Sequence, residues 1–239
     1  MSRSATIILL VLALLLASQP THAALTTGGC LALKRQTWGN LRKCEALEQA
    51  KALRGKPSDP AKCQTKFQKN LAKITDKAAD AAIRCRYGDN GDQTVTDYDT
   101  GLQWEKEGGR FVINLGFVCL PGTVHCVNDT YKWNAANQLV DASADGTTRP
   151  TCFFGHCDWR LPTILELQSI LLAPHPCGTN PCIDPIFGPT ASGLYASSTT
   201  LLVSDPTSVW LVSFNSSGQV IANFKEAQGY YIRAVRTAL

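Results

Sequence analysis

The sequence predicts an α+β domain preceded by a disulfide-stapled α-helical hairpin. Three stretches support this prediction. Residues 31–84 are rich in Ala, Lys, Leu and Gln, which favour helix, and their single break lies at residues 55–60. Residues 158–167 combine the end of a strand with a helix-capping pattern, and residues 195–236 alternate as antiparallel strands do. The composition changes abruptly near residue 87, where we place the boundary between the two parts.

The hairpin, residues 24–87, is expected to contain two antiparallel helices joined by the turn at 55–60. Asp59 is the expected N-cap of the second helix. Pro60 is its expected first helical residue, because no backbone donor is needed at that position. A unit of this size has little hydrophobic core, so we expect disulfide bonds to stabilise it.

Ten cysteines indicate disulfide bonds in this chain, because its first 23 residues resemble a secretory signal and an exported protein meets an oxidising compartment. Cys30 and Cys85 lie at equal distances from the hairpin turn and fit one pair. Cys44 and Cys63 are offset by several residues and fit less well, but crossed pairings fit worse. The remaining six cysteines form close couples that predict three local staples: Cys119/Cys126, Cys152/Cys157 and Cys177/Cys182. A zinc site built from these couples and the neighbouring His125, His156 and His175 is disfavoured by their spacing and by an oxidising compartment.

Residues 1–23 have the pattern of a secretory signal peptide. Arg3 gives a short basic region, residues 7–17 are apolar but short for a bilayer span, and residues 21–23 fit a cleavage site. A retained N-terminal anchor is the alternative. No later apolar run approaches the roughly 20 residues that a membrane helix needs. We therefore expect a periplasmic or secreted mature chain without a membrane span.

The domain over residues 88–239 is expected to begin with a tight turn at 87–92, which carries an Asn-Gly pair and flanking aspartates. These aspartates also suggest calcium, but the further ligands and the twelfth-position Glu of an EF-hand are missing. Seven strands or strand ends are predicted from alternation: 94–97, 101–104, 159–161, 195–199, 209–214, 220–224 and 231–236.

Two helices are expected among these strands. One covers residues 132–142, where Trp133 and Ala136 begin an apolar repeat. The other begins at Thr163, because Thr163 and Glu166 have the spacing of a capping box. Its expected apolar face consists of Leu165, Leu167, Ile170, Leu171 and Leu172. A binding site on such a scaffold would lie in the loop-rich segments 105–130 and 173–194.

The order of these motifs resembles the C-terminal domain family of the Legionella collagen-like adhesin. The resemblance extends through nearly all of residues 88–239 and is carried by residues 90–92, 95–97, 100–104, Trp133 with Ala136, 158–163 with 166–167, 183–184 with Phe187, 197–199, 209–210 with Phe214, and 232–236. It implies a C-type-lectin-like fold, binding to sulfated glycosaminoglycans and trimer formation. The 239 residues contain no collagen-like repeat, which the naming adhesin has.

Charge is distributed unevenly along the chain. Residues 24–87 contain 14 Lys and Arg against five Asp and Glu, whereas residues 88–239 contain eight against 14. A polyanion is attracted to a basic surface, so the hairpin is the better candidate to bind an anionic polysaccharide, in the manner of an adhesin. The candidate binding residues are Lys62, Lys66, Lys69 and Lys73 of the hairpin, with Arg160, Arg233 and Arg236, which are expected to face outward from strands of the domain.

Two other functions are open. The chain could be a structural or protein-interaction module of the cell envelope, because no convergent set of catalytic residues appears. An enzyme would use Asp158 and Glu166 as its acid and base, but we expect an arginine or backbone partner for Asp158 and helix capping for Glu166. We expect no catalytic residue, no cofactor and no metal. Nucleic acid is not an expected partner, because the chain is exported.

Overall fold

The computed structural model describes residues 25–107, 110–113, 116–119, 130–140, 154–202 and 205–238. The predicted signal peptide, residues 1–23, lies outside these ranges. Within them, no helix combines the length and the apolar character needed to cross a membrane.

The predicted hairpin is confirmed. Its helices are α1 (Thr27–Leu53) and α2 (Ala61–Asp80). Helix α2 presents an apolar face to α1, and the small core between them contains Leu41, Cys63, Phe67 and Leu71. Such a core is limited, and the two disulfide bonds Cys30–Cys85 and Cys44–Cys63 supplement it. The nested pairing predicted from the sequence is therefore confirmed.

The ends of the two helices follow the predicted turn. Gly55, with φ of +66°, closes α1, and a left-handed backbone of this kind favours glycine. Helix α2 begins one residue later than predicted, at Ala61 rather than Pro60. The N-cap is accordingly Pro60 rather than the expected Asp59, although the Asp59 carboxylate still accepts a hydrogen bond from the Lys62 N–H at 3.3 Å.

Nine strands make up three sheets in the described residues. They are β1 (Tyr87–Asp89), β2 (Thr94–Asp97), β3 (Leu102–Glu105), β4 (Arg110–Ile113), β5 (Gly116–Cys119), β6 (Leu194–Leu202), β7 (Asp205–Ser213), β8 (Val220–Phe224) and β9 (Val235–Thr237). The sheets have the orders β1-β2-β3-β9, β4-β5 and β6-β7-β8, and all their pairs are antiparallel.

Several strands differ from the prediction. Strand β1 occupies the first half of the segment predicted as a turn, and β4 and β5 lie within the segment predicted as a loop. The predicted strand end at 159–161 is reduced to a single bridge between Arg160 and Val235. The predicted strand at 231–236 begins only at Val235, because the residues before it turn into the core.

Two short α-helices, α3 (Trp133–Val140) and α4 (Ile164–Ser169), and one 3-10 helix (Pro185–Phe187) complete the described part of the domain. The predicted capping box is present: the Thr163 hydroxyl accepts from the Glu166 N–H, and the Glu166 carboxylate accepts from the Thr163 N–H. Leu167, Ile170 and Leu171 are buried as predicted, but Leu165 is 74% exposed. Helix α4 is only six residues long, so a single narrow face packs against the sheet.

The domain core contains two clusters of buried side chains between the sheets and the short helices. One includes Trp104, Leu167, Phe187, Tyr195 and Phe214, and the other includes Trp159, Leu161, Val209, Leu211 and Tyr230. Trp104 and Trp159 are thus core residues. Mixed helix and antiparallel sheet confirm the α+β class, whereas the C-type-lectin-like similarity stays a prediction.

Candidate binding surface

A row of five lysines runs along one exposed face of α2. Helix positions three or four apart lie on the same face, and the row follows this spacing through Lys62, Lys66, Lys69, Lys73 and Lys77. At 1.5 Å per residue it is about 22 Å long. Four of these lysines were predicted as binding residues, and the structure adds Lys77 to them. We call this row the lysine stripe.

Only the first lysine of the stripe has a carboxylate partner among the described residues. Lys62 lies 2.9 Å from the Glu48 carboxylate, which also accepts hydrogen bonds from Lys51 and the Asp59 N–H. These donors lower the pKa of Glu48 from 4.5 to about 2, and Glu48 in turn raises the pKa of Lys62. Glu48 therefore joins α1, the turn and α2, whereas the rest of the stripe is open to a ligand.

An apolar groove between α1 and α2 borders the stripe. Two cavities of about 410 Å³ and 650 Å³ lie along it, with Thr37 and Asn70 lining both. Leu33 and Leu47 of α1 line the groove and are 42% and 57% exposed. The stripe thus combines positive charge with adjacent apolar surface.

The opposite flank of α1 is attached to the domain. The Trp38 indole N–H donates to the Tyr98 carbonyl at 2.9 Å, and the Arg35 guanidinium donates to the Tyr98 hydroxyl at 2.8 Å. Lys34 is buried and pairs with Asp99. One positive charge of the hairpin, that of Lys34, is therefore neutralised by a carboxylate of the acidic domain. Because this attachment occupies α1, the stripe on α2 remains exposed.

The ends of the hairpin also connect to the domain. Cys85 is bonded to Cys30, and the adjacent Arg86 pairs with the buried Asp97 carboxylate at 2.7 Å. A cavity of about 550 Å³ lies at this junction, with Thr75 and Arg84 on the hairpin side and Leu172 on the domain side.

Two of the predicted arginines form surface ion pairs. Arg160 binds the Glu166 carboxylate through two nitrogens, at 2.6 and 2.7 Å. Arg236 donates to Asp158 at 2.7 Å. Burial alone would raise the pKa of Glu166, but Arg160 and the Thr163 N–H bring it below its usual value, and Arg236 lowers the pKa of Asp158. Asp158 and Glu166 thus have the structural partners that the sequence predicted for them.

The expectation that Arg233 faces outward was wrong. Its side chain is fully buried and lies 2.9 Å from the Glu107 carboxylate. Its guanidinium also donates to the Glu105 and Phe187 carbonyls and to the Thr190 hydroxyl. Residues 232–235 are all buried, so the strand alternation on which the expectation depended is absent. Arg233 holds the centre of the domain together and does not reach the surface.

The aspartates of the first turn already have partners within the protein. Asp89 accepts from the Gly91 N–H and pairs with Lys106 at 2.7 Å, and Asp92 accepts from the Thr94 N–H. Both are exposed, and this Asx-turn pattern is sufficient to explain them.

The cysteine couples are described in part. The predicted staple Cys177–Cys182 is present, and His175 lies beside it. Cys157 is also disulfide-bonded, and its predicted partner Cys152 lies outside the described residues. The Cys119 side chain and Cys126 lie outside them as well, so that couple stays a prediction.

Comparison with protein families identifies the domain. The family model of the Lcl C-terminal domain matches residues 93–236, more than half of the chain. The chain belongs to the Lcl C-terminal domain family. The Lcl C-terminal domain here begins at β2 and ends in β9, and the resemblance inferred from the sequence motifs is confirmed. No curated protein and no solved structure matches the chain.

Proposed function

We propose that this protein is an exported, non-catalytic binding protein that recognises an anionic polysaccharide through the lysine stripe. The observation that carries this proposal is the row of exposed lysines on α2, four of which lack an ion pair within the described residues. An adhesin-associated family and a disulfide-stapled chain support action outside the cytoplasm.

The physics of the stripe suits a repeating polyanion. Each exposed lysine contributes little by itself, because water and salt screen its charge. Several lysines on one rigid helix act together, since a polymer that contacts one of them is held close to the next. Binding should therefore be multivalent and strongly dependent on salt.

The Lcl C-terminal domain is a less suitable polyanion surface. It has an excess of acidic residues, and Arg160, Arg233 and Arg236 are each committed to a carboxylate. We infer that the domain holds and orients the hairpin, while the hairpin provides the positive charge.

Heparin-affinity chromatography of the full chain tests the proposal. The stripe variant Lys66→Gln/Lys69→Gln/Lys73→Gln should elute at a much lower salt concentration than the wild type. A matched control, Arg42→Gln/Arg54→Gln/Lys56→Gln, removes the same charge from exposed positions outside the stripe. It should elute close to the wild type. Equal losses in both variants would mean that net charge alone, and not the stripe, causes retention.

A second candidate function is docking to an envelope protein, favoured by the exposed Leu33 and Leu47 in the groove. The lysines that border the groove suit an acidic amphipathic helix as the partner. Apolar burial depends little on salt, so such a partner would remain bound at salt concentrations that release heparin. Substituting both leucines with Ser should then abolish binding of that partner and leave heparin elution unchanged.

A further inference from the structure

The cavity of about 550 Å³ at the junction of hairpin and domain is lined by residues that fixed contacts hold in place. A disulfide bond fixes Cys85, and an ion pair with Asp99 fixes Lys34. The Tyr87 ring packs edge-on against Phe187, with 4.8 Å between the ring centroids. The cavity is therefore formed by rigid parts of both modules, as binding sites for small molecules commonly are.

Much of the lining of this junction cavity is apolar. The domain contributes Leu171, Leu172 and Ile186, and α2 contributes Ala78 and Ala79. An apolar group that enters the cavity leaves water and gains the hydrophobic effect. The volume is also within the range of about 300–1,000 Å³ that is typical of small-molecule sites.

The charges of the lining are the feature that selects a ligand. Lys34, Arg86 and Asp99 each belong to an ion pair. The other two charged residues, Arg84 and Asp184, have no ion-pair partner within the described residues, and they do not pair with each other. Arg84 comes from the hairpin and Asp184 from the domain. Two opposite charges thus line one cavity without meeting.

Further polar atoms of the lining are free to bind. One oxygen of Asp184 accepts a hydrogen bond from the Ile186 N–H at 2.9 Å, which leaves the other oxygen without a partner in the described part of the chain. The Tyr87 hydroxyl also has no hydrogen bond within the described residues. Burial raises the pKa of Tyr87, so its hydroxyl stays protonated and can both donate and accept.

We propose that the junction cavity binds a small zwitterion with an apolar body, either a free amino acid with an aliphatic side chain or a short apolar peptide. Arg84 pairs with the carboxylate, Asp184 pairs with the ammonium group, and the apolar body lies against Leu171 and Leu172. A ligand with one charge would satisfy only one of the two side chains. The bound zwitterion links the hairpin to the domain, because each module supplies one of the charges.

This proposal goes beyond polyanion binding and does not depend on it. None of the five lysines of the stripe lines the junction cavity. Failure of zwitterion binding would leave the heparin result unchanged, and the reverse also holds.

Calorimetric titration of the full chain tests the proposal with four probes. L-leucine and the dipeptide Leu-Leu carry both charges at different separations, whereas leucinamide lacks the carboxylate and N-acetylleucine lacks the ammonium group. At least one of the two zwitterions should bind more tightly than both singly charged analogues. The tighter zwitterion identifies the ligand as a free amino acid or a peptide.

Two variants test the assigned roles. Arg84→Gln should weaken zwitterion binding about fivefold and bind leucine no better than leucinamide. Asp184→Asn keeps an oxygen for the Ile186 N–H, and it should bind leucine no better than N-acetylleucine. The matched controls Arg54→Gln and Asp76→Asn make the same charge changes at exposed positions outside the cavity and should bind as the wild type does.

Absence of binding by both zwitterions would overturn the proposal. So would equal affinity of the wild type for the zwitterions and for the singly charged analogues, or equal affinities in the cavity variants and their controls. The comparison of ligands is made on the wild-type protein, so it does not depend on how well any variant folds.

Discussion

Gly101 of the domain packs closely against Trp38 of the hairpin. A β-carbon at Gly101 would lie 2.6 Å and 2.8 Å from two carbon atoms of the Trp38 indole. Gly101 also has a φ of +75°. The substitution Gly101→Ala therefore has two costs, one from the backbone conformation and one from displacing Trp38. Gly91 is the control for the backbone cost alone, because its φ is +76° and a β-carbon added there would meet nothing within 4 Å.

The two costs can be estimated separately. An L-residue in the left-handed region costs about 1 kcal/mol, so Gly91→Ala should destabilise the protein by about that amount. Gly101→Ala adds about 2 kcal/mol, since overpacking typically costs about 1–3 kcal/mol and the hydrogen bond from Trp38 to the Tyr98 carbonyl is weakened. The expected total is about 3 kcal/mol for Gly101→Ala.

Urea denaturation, followed by far-ultraviolet circular dichroism, measures both variants. In a Trp38→Ala background, the additional cost of Gly101→Ala should fall to that of Gly91→Ala, because the indole is no longer present. Equal destabilisation by Gly91→Ala and Gly101→Ala in the wild-type background would refute the close contact between hairpin and domain.

Three further predictions concern charge and capping. The pKa of Glu48 is about 2 in the folded chain against an ordinary 4.5, so its stabilising effect is full above pH 4.5 and is lost as the pH falls towards 2. The free energy of unfolding of Glu48→Gln should therefore change less with pH between 4.5 and 2 than that of the wild type. The same pH dependence in both proteins would contradict this role. Arg233→Met should destabilise the protein by about 3–5 kcal/mol in urea denaturation, because the buried Glu107 carboxylate loses its guanidinium partner, and adding Glu107→Gln should restore part of the loss. Thr163→Ala should lower stability by about 1 kcal/mol through loss of the cap, so a loss below a few tenths would argue against a structural capping box.

Local signals in the sequence were reliable where neighbouring residues determine the structure. The capping box at Thr163 and the turn between the helices depend on contacts within a few residues, and both are present. The Cys30–Cys85 bond followed from the equal distances of the two cysteines from the hairpin turn, and Cys44–Cys63 was preferred because crossed pairings fit worse. The stripe was largely predictable too, because its lysines recur at helical spacing.

Contacts between distant residues could not be predicted in the same way. Arg233 is paired with Glu107, which is 126 residues away in sequence, so strand alternation gave the wrong side. Glu48 is buried against the hairpin turn, and no local pattern in the sequence indicates this. Trp38 was the one available signal for the attachment of the hairpin, since a tryptophan on a charged helix usually packs against something.

Binding of an anionic polysaccharide by the lysine stripe can be measured by calorimetric titration with a heparin oligosaccharide over a range of salt concentrations. Each lysine that pairs with an anionic group of the ligand contributes about one to the slope of log affinity against log salt. We expect Lys66→Gln/Lys69→Gln/Lys73→Gln to reduce the slope by about three, and Arg42→Gln/Arg54→Gln/Lys56→Gln to leave it nearly unchanged. A slope that is the same in the wild type and the stripe variant would show that the polysaccharide does not bind at the stripe.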